Sequence, residues 1–260
     1  MPRRSEPSGL RDLAKGNAIA KVCAVLRALG ERSPMRLSEI AEATGLNRVT
    51  ALRILDDLGA AGFVSRSGTP PRYNFGPEVV ALSAAASRAF NIRDAARPSL
   101  VRLADLSGDT VLLSVRASAE AIVVDRVVGD SPIRANFLDV GSRRPLGVGG
   151  GSMALLAWIP EPERDAVLEA TAQRLETYPR IDRSILERHI AEARARGHVV
   201  MYDIVVPRMG AVAVPVRDAA GQVAGAISIV ALSDQIAERE AELVEALHRE
   251  AQAISRQLGG

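Results

Sequence analysis

Between residues 37 and 58 the apolar positions fall on two short helical stripes separated by a glycine. Leu37, Ile40, Ala41 and Thr44 stand at i, i+3, i+4 and i+7, one face of a helix opened by Ser38 or a neighbour. Gly45 supplies the backbone freedom that a tight turn between crossed helices needs. Asn47 suits the N-cap of the next helix, Val49, Leu52, Ile54, Leu55 and Leu58 predict its buried face, and Gly62 follows its end. Phe63-Val64-Ser65 and Arg72-Tyr73-Asn74-Phe75 then alternate around Ser67-Gly68-Thr69-Pro70-Pro71, the pattern of a hairpin. Upstream, Ala18, Ile19, Val22, Val25, Leu26 and Leu29 predict a first helix, with Cys23 among them as a buried thiol. This order of helices, turn and two-stranded wing is that of a winged helix-turn-helix.

After Gly76-Pro77 the pattern changes. Val79, Val80, Leu82, Ala85, Ala86 and Phe90 predict a linker helix over 77–92, and Leu100, Leu103 and Leu106 a second helix over 94–107, closed by Gly108. Alternating segments at 110–116, 121–128 and 132–138 read as adjacent antiparallel strands. Helical signals return over 151–158, 161–173 and 182–196. Strands are predicted at 198–204, 210–217 and 222–231, the last two joined by Asp218-Ala219-Ala220-Gly221. A final helix over 233–258 has Ser233 as its N-cap. Its early Glu238, Glu240 and Glu242 and late Arg249 and Arg256 match the helix dipole. Strands, helices, strands and helix in that order describe an α+β domain, an antiparallel sheet with packed helices. The boundaries are a flexible basic arm over 1–15, the winged helix-turn-helix over 16–76, the linker helix over 77–92, and a second domain over 93–260.

Composition changes this picture little. The chain has 260 residues, 47% of them apolar, enough for two cores. No apolar run approaches the roughly 20 residues of a membrane span, and no signal segment opens the chain, so a cytoplasmic protein without a membrane partner is expected. With a single cysteine, no disulfide can form within the chain.

Charge changes it more. Residues 1–76 hold 12 Lys+Arg against 7 Asp+Glu, and the remainder 21 against 24, a net +5 followed by −3. The attraction for phosphate therefore sits where the helix-turn-helix sits, and double-stranded DNA is the expected partner. The candidate contacts are Asn47, Arg48, Thr50, Ala51 and Arg53 at the groove, since Arg is bidentate to guanine and Thr or Ala methyls meet thymine. Arg66 and Arg72 flank the wing loop as phosphate contacts, and Arg3, Arg4 and Arg11 of the arm add to them.

Two further patterns bear chemistry. The run Gly149-Gly150-Gly151 opens a helix, and unsatisfied N–H groups there form a ready carboxylate site. The same glycines equally suit close packing. Gly150-Gly151-Ser152-Met153-Ala154 is one residue away from a nucleophile elbow, with Asp182 and His198 or His248 downstream in hydrolase order. The elbow needs a strand directly before the serine, and Gly141, Pro145, Gly147 and Gly149 make residues 141–149 a poor one, so no enzyme is expected. His189, His198 and His248 share no metal-ligand spacing, and neither a metal nor a cofactor is expected.

The segments LSEIAEATGLNRVTALRILDDLGAAGFV (37–64), YNFG (73–76), GSRRPLGVGGGSMALLAW (141–158) and RGHVVMYDIVVPRMGAVAVPVRDAAGQVAGAISIVALSDQI (196–236) resemble the IclR family of bacterial transcriptional regulators. The resemblance covers roughly residues 16–257 and is most specific in the last two segments. It implies a winged helix-turn-helix joined by a linker helix to a GAF-like effector-binding and oligomerisation domain, assembled as a homodimer or tetramer. It also implies that a small organic acid or aromatic effector enters a cavity over the sheet and alters operator binding. Carried across residue by residue, the pocket would comprise Leu146, Gly150, Gly151, Met201, Ala211, Ser228 and Val230. Related pockets often place an acid where Met201 stands, a cysteine or other polar group at Ala211 and a serine at Val230. The family pattern has His, Thr or Ser where this chain has Gly147, Val148 and Gly149. These departures imply a more apolar cavity and a smaller or more hydrophobic ligand. The alternative is a C-terminal domain that only oligomerises.

Overall fold

The computed structural model describes residues 8–89, 92–132 and 137–259, and the chain divides into two compact units, Met1–Phe90 and Asn91–Gly260. In the first unit α1 (Ser8–Ala14) precedes α2 (Ala18–Arg32), α3 (Leu37–Thr44), α4 (Arg48–Ala60), the hairpin β1 (Val64–Ser67) and β2 (Arg72–Phe75), and α5 (Pro77–Ala89). The presence of α1 corrects the expected flexible arm. Leu10 and Ala14, one turn apart, are buried, Leu10 in a core with Val25, Leu29, Ile40 and Leu55, and Arg11 donates to the Glu42 carbonyl at 3.1 Å. Arg3 and Arg4 lie outside the described residues.

The helices α2, α3 and α4 start where a polar group can satisfy free N–H donors. The Asn17 carboxamide oxygen accepts from Ala20 N at 3.0 Å and that of Asn47 from Thr50 N at 2.8 Å. At α3 the cap is Arg36 rather than Ser38, because the Glu39 carboxylate reaches back to accept the Arg36 N–H at 2.6 Å. Gly45 takes the left-handed conformation (φ 70°) at the turn, and Gly62 (φ 78°) lies just past the Ala61 cap of α4. On α2 the inward stripe is Ala24, Val25, Ala28 and Leu29. Cys23 and Ile19 lie one turn apart off that stripe and are exposed, correcting the reading of Cys23 as a core thiol.

The wing pairs antiparallel, Val64 opposite Phe75 and Ser67 opposite Arg72. Met35 bridges to Tyr73 through hydrogen bonds of 3.1 and 2.8 Å in the two directions, an extra rung that the sequence pattern did not reveal.

The second unit contains α6 (Ile92–Ser107), β3 (Thr110–Ala117), β4 (Glu120–Val128), β5 (Arg143–Pro145), α7 (Gly150–Ala157), α8 (Glu161–Leu175), α9 (Arg183–Arg196), β6 (Val199–Tyr202), β7 (Met209–Arg217), β8 (Val223–Leu232) and α10 (Ser233–Leu258). Its strands form one antiparallel sheet in the order β5-β4-β3-β8-β7-β6. This is the α+β layout that the sequence pattern predicts and the GAF-like one that the family resemblance implies. Residues 133–136 of the strand expected at 132–138 lie outside the described residues, and Phe137 is in a turn. The partner of β4 is instead β5, only three residues long and framed by Gly141 and Gly147, too short for an alternation to register. Ser233 is the first residue of α10 rather than its cap, and its hydroxyl donates to the Asp203 carboxylate at 3.2 Å.

The period of two along the strands gives the sheet two different faces. Val111, Leu113, Val212, Val214, Ile227 and Ile229 point to a core built with Leu100 and Leu103 of α6 and Leu243, Leu247 and Ile254 of α10. An ion pair closes that layer: Arg102 meets Glu250 at 2.6 Å, with Glu250 buried. Burial alone would raise the Glu250 carboxyl, but hydrogen bonds from Arg102 and Ser99 outweigh it and hold the group below the usual glutamate range. The alternate residues, among them Leu112, Ala211 and Val230, face the other side, where α7 lies between the sheet and α9.

Candidate nucleic-acid interface and ligand cleft

On α4 the buried residues are Ala51, Ile54, Leu55 and Leu58, an i, i+3, i+4, i+7 stripe. Ala51, expected at the groove, is completely buried, with 0% exposure. Val49 and Leu52, expected in the core, are exposed at 79% and 37%. The phase of the stripe was misplaced because a small Ala occupies an inward position while larger apolar residues stand outside. The outward face therefore comprises Arg48, Val49, Leu52 and Arg53, with Thr50 half-buried beside them. Arg48, Arg53 and Arg66 make no ion pair or hydrogen bond among the described residues. The exposed acids of the helix, Asp56 and Asp57, lie in its C-terminal half, so its cationic end is the N-terminal end, the part a recognition helix presents to base edges. Asn47 is exposed and caps the helix through its carboxamide oxygen. Arg66 is exposed on β1, whereas Arg72 is half-buried and donates to the Pro34 carbonyl at 3.2 Å, tying the wing to the segment before α3.

In the second unit the cavity-side face of the sheet, α7 and the 204–206 segment enclose a cleft of about 630 Å³, its open mouth included. Six residues expected at the pocket line it: Gly150, Gly151, Met201, Ala211, Ser228 and Val230. Leu146 does not. Its amide donates to Ala119 O at 3.0 Å, and its side chain is wholly buried in the core beneath α7 with Leu156 and Leu186. The walls are mostly apolar, including Leu112, Val123, Phe137 and Val205, with the hydroxyls of Ser114 and Ser228 on the sheet side.

The glycine run serves the close packing that the sequence left open. A Cβ on Gly150 would lie 2.8 Å from the Ala211 Cβ, and one on Gly151 3.2 Å from the Ser114 hydroxyl, so glycine lets α7 seat against the sheet. Gly149, the N-cap with φ 95°, brings no side chain to the start of the helix, and Gly149, Gly150 and Gly151 line the cleft. The sequence pattern missed Arg144, which stands on β5 and lines the same cleft. The one signal for it was the adjacent pair Arg143-Arg144, since neighbours on a strand leave opposite faces.

The elbow-like serine is differently employed. The Ser152 hydroxyl is buried and donates to the Pro145 carbonyl at 2.9 Å, and no histidine lines the cleft with it. Asp182 caps α9, its carboxylate accepting from Ile185 N at 2.8 Å and from the Ser184 hydroxyl at 2.7 Å. Those hydrogen bonds, the Ile185 one foremost, hold Asp182 below the usual aspartate range. Among the described residues no group of three or more His, Cys, Asp or Glu side chains could hold a metal ion, and no helix is long and apolar enough to cross a membrane.

A winged helix-turn-helix with a cationic outward helix, followed by a sheet domain bearing an internal cleft, defines a DNA-binding transcriptional regulator. Residues 84–256 match the family model for the bacterial transcriptional regulator IclR C-terminal domain, and residues 18–68 match the IclR helix-turn-helix domain. The chain belongs to the IclR family, whose members are regulators and not enzymes. It is 26% identical over 247 residues to the HTH-type transcriptional regulator KipR of Bacillus subtilis, covering 94% of this chain and 98% of that protein. An IclR transcriptional regulator from Alicyclobacillus acidocaldarius shares its structure with a TM-score of 0.77 at 28% identity, over 93% of this chain and 98% of the other. The fold is shared too by an IclR homolog from Microbacterium hydrocarbonoxydans solved with 4-hydroxybenzoate, with a TM-score of 0.76 at 24% identity, over 93% and 99% of the two chains.

Proposed function

We propose that this regulator reads its operator with the outward face of α4 and senses a small organic molecule in the cleft of its C-terminal unit. Arg48, Arg53 and Thr50 supply polar base and phosphate contacts. Val49 and Leu52 take the apolar role first assigned to Ala51, packing on thymine methyls. Arg66 and Arg72 hold phosphates from the wing, and Asn47 orients the helix that carries the readers. The observation that carries this reading is the set of exposed side chains on one face of α4, Arg48, Val49, Leu52 and Arg53, whose two arginines have no ion-pair partner among the described residues.

The effector site comprises Gly150, Gly151, Met201, Ala211, Ser228 and Val230. The co-complex of the Microbacterium hydrocarbonoxydans homolog with 4-hydroxybenzoate supports a ligand of that size class. The protein acts on the chromosome, in the cytoplasm, as a homodimer or a tetramer of paired dimers. In α5, Val80 and Leu82 are 71% and 50% exposed, and a second copy is the natural cover for apolar side chains on an otherwise solvated helix. Two copies also supply the site length that one recognition helix lacks.

The test is fluorescence anisotropy of the purified protein with its own upstream region as the salt concentration is varied. A steep fall in affinity with salt, together with a preference over random duplex of the same length, is expected. Salt-independent or absent binding overturns the reading.

A further inference from the structure

We propose that Arg144, the lone cation among the described residues lining the cleft, is its specificity-determining residue and selects a ligand bearing one carboxylate on an apolar body of about single-ring size. This rests on the reading of the cleft as an effector site and names the chemistry of what enters.

Arg144 differs from the arginines around it. Arg143, its neighbour on β5, reaches Glu120 at 3.1 Å, Arg174 meets the same carboxylate at 2.9 Å, and Arg126 meets Asp139 at 2.6 Å. Arg144 has no carboxylate partner among the described residues. What it does have is an aromatic neighbour, with its guanidinium carbon 5.4 Å from the centroid of Phe137. Burial pushes the guanidinium below the ordinary arginine range, only partly opposed by Tyr178. A half-buried cation without a counter-charge carries a desolvation cost that an arriving anion offsets.

The guanidinium also stands at the start of α7. A Cβ built on Gly149 would lie 3.6 Å from Arg144 Nη1, so the fork lies beside the uncapped start of the helix, and both line the cleft. A planar, bidentate donor beside backbone amides matches the two oxygens of a carboxylate.

Arg144 is the one charged side chain among the described residues that line the cleft, and the rest of the wall includes Leu112, Val123, Met201 and Val230. One positive charge balances one negative charge. A dicarboxylate or a phosphorylated ligand would leave excess charge against apolar walls, and a neutral apolar ligand would leave the arginine unpaired.

The experiment uses the full chain, with benzoate, phenylacetate and hexanoate against their neutral amides, followed by thermal shift and calorimetry. At least one acid is expected to raise the melting temperature and bind saturably, with its amide at least about tenfold weaker. Arg144→Met should weaken that acid by a similar factor, and Arg144→Lys should restore part of it, because a point charge keeps the attraction but loses the fork. Circular dichroism checks the variants, and the acid-against-amide comparison on the unaltered protein stands even if a variant misfolds. Amides that bind as tightly as acids, or an Arg144→Met protein that binds acids normally, overturn the inference and leave effector sensing intact. If no acid binds at millimolar concentration but a neutral metabolite does, the result is the same. If neither class binds, the inference and the sensing function fall together.

Discussion

Helices α4 and α7 carry the two proposed sites, and they are built in opposite ways. The first is amphipathic, capped by an Asn47 side chain, with one buried stripe and an outward face in solvent. The second is buried at all eight positions, begins at a glycine without a side-chain cap, and offers only its starting end to the cleft. A helix that meets a macromolecule needs a whole face free, so its side chains do the reading. A helix packed inside a domain has no free face, which leaves its backbone N–H groups and a neighbouring arginine as the donors proposed for a small molecule.

This contrast predicts where truncation hurts. Leu55 is 1% exposed in the core of the first unit, and Leu55→Ala should cost about 2–5 kcal/mol in chemical unfolding of that unit and abolish operator binding with it. Leu52→Ala, three residues earlier on the outward face, should cost under about 1 kcal/mol of stability while still weakening the operator complex. Equal stability losses at the two positions would erase the distinction between the faces. At α7 the danger is added volume. Gly150→Val would drive its Cβ against Ala211 Cβ, placed 2.8 Å away, and should destabilise the second unit by about 1–3 kcal/mol while closing the cleft to ligand. A variant of full stability that still bound a cleft ligand would show that α7 seats with room to spare.

The same contrast explains what could be read from the chain. The helix-turn-helix was legible because caps, the Gly45 turn and hairpin alternation are local signals. Its rotational phase was not: Ala51 is too small to announce itself as core, and Val49 and Leu52 are apolar yet outside. Around α7 periodicity has nothing to report, since a helix apolar on every side shows no stripe. There the glycine run and the family pattern pointed to seven residues, of which six line the cleft, whereas Leu146 turns into the core because adjacent positions in a tight turn diverge. Arg144 escaped because the strand that aims it has three residues, and only pairing with β4 makes it a strand at all.

Arg53→Ala tests the outward face by its side chain alone. Arg53 is exposed and makes no ion pair among the described residues, so stability should change by under about 0.5 kcal/mol, whereas operator affinity should fall by about 1–3 kcal/mol. Anisotropy with operator and random duplex decides its role. A loss confined to the operator marks a base contact, an equal loss on both marks a phosphate contact, and no loss on either removes Arg53 from the interface.

The smallest effect separates a cap from a contact. Asn47 accepts the Thr50 N–H at 2.8 Å, and Asn47→Ala should cost about 1 kcal/mol through the freed helix start. Asn47→Asp keeps the acceptor and adds a negative charge at the positive end of the helix, so stability should hold or rise slightly. That same charge sits beside Arg48 on the face proposed to meet phosphate, so DNA affinity should drop despite the preserved fold. Stability retained with binding lost would mean that Asn47 lies within reach of DNA as well as capping α4. Stability and binding both retained would confine it to the cap. No matching substitution exists at α7, where Gly149 has no side chain to remove.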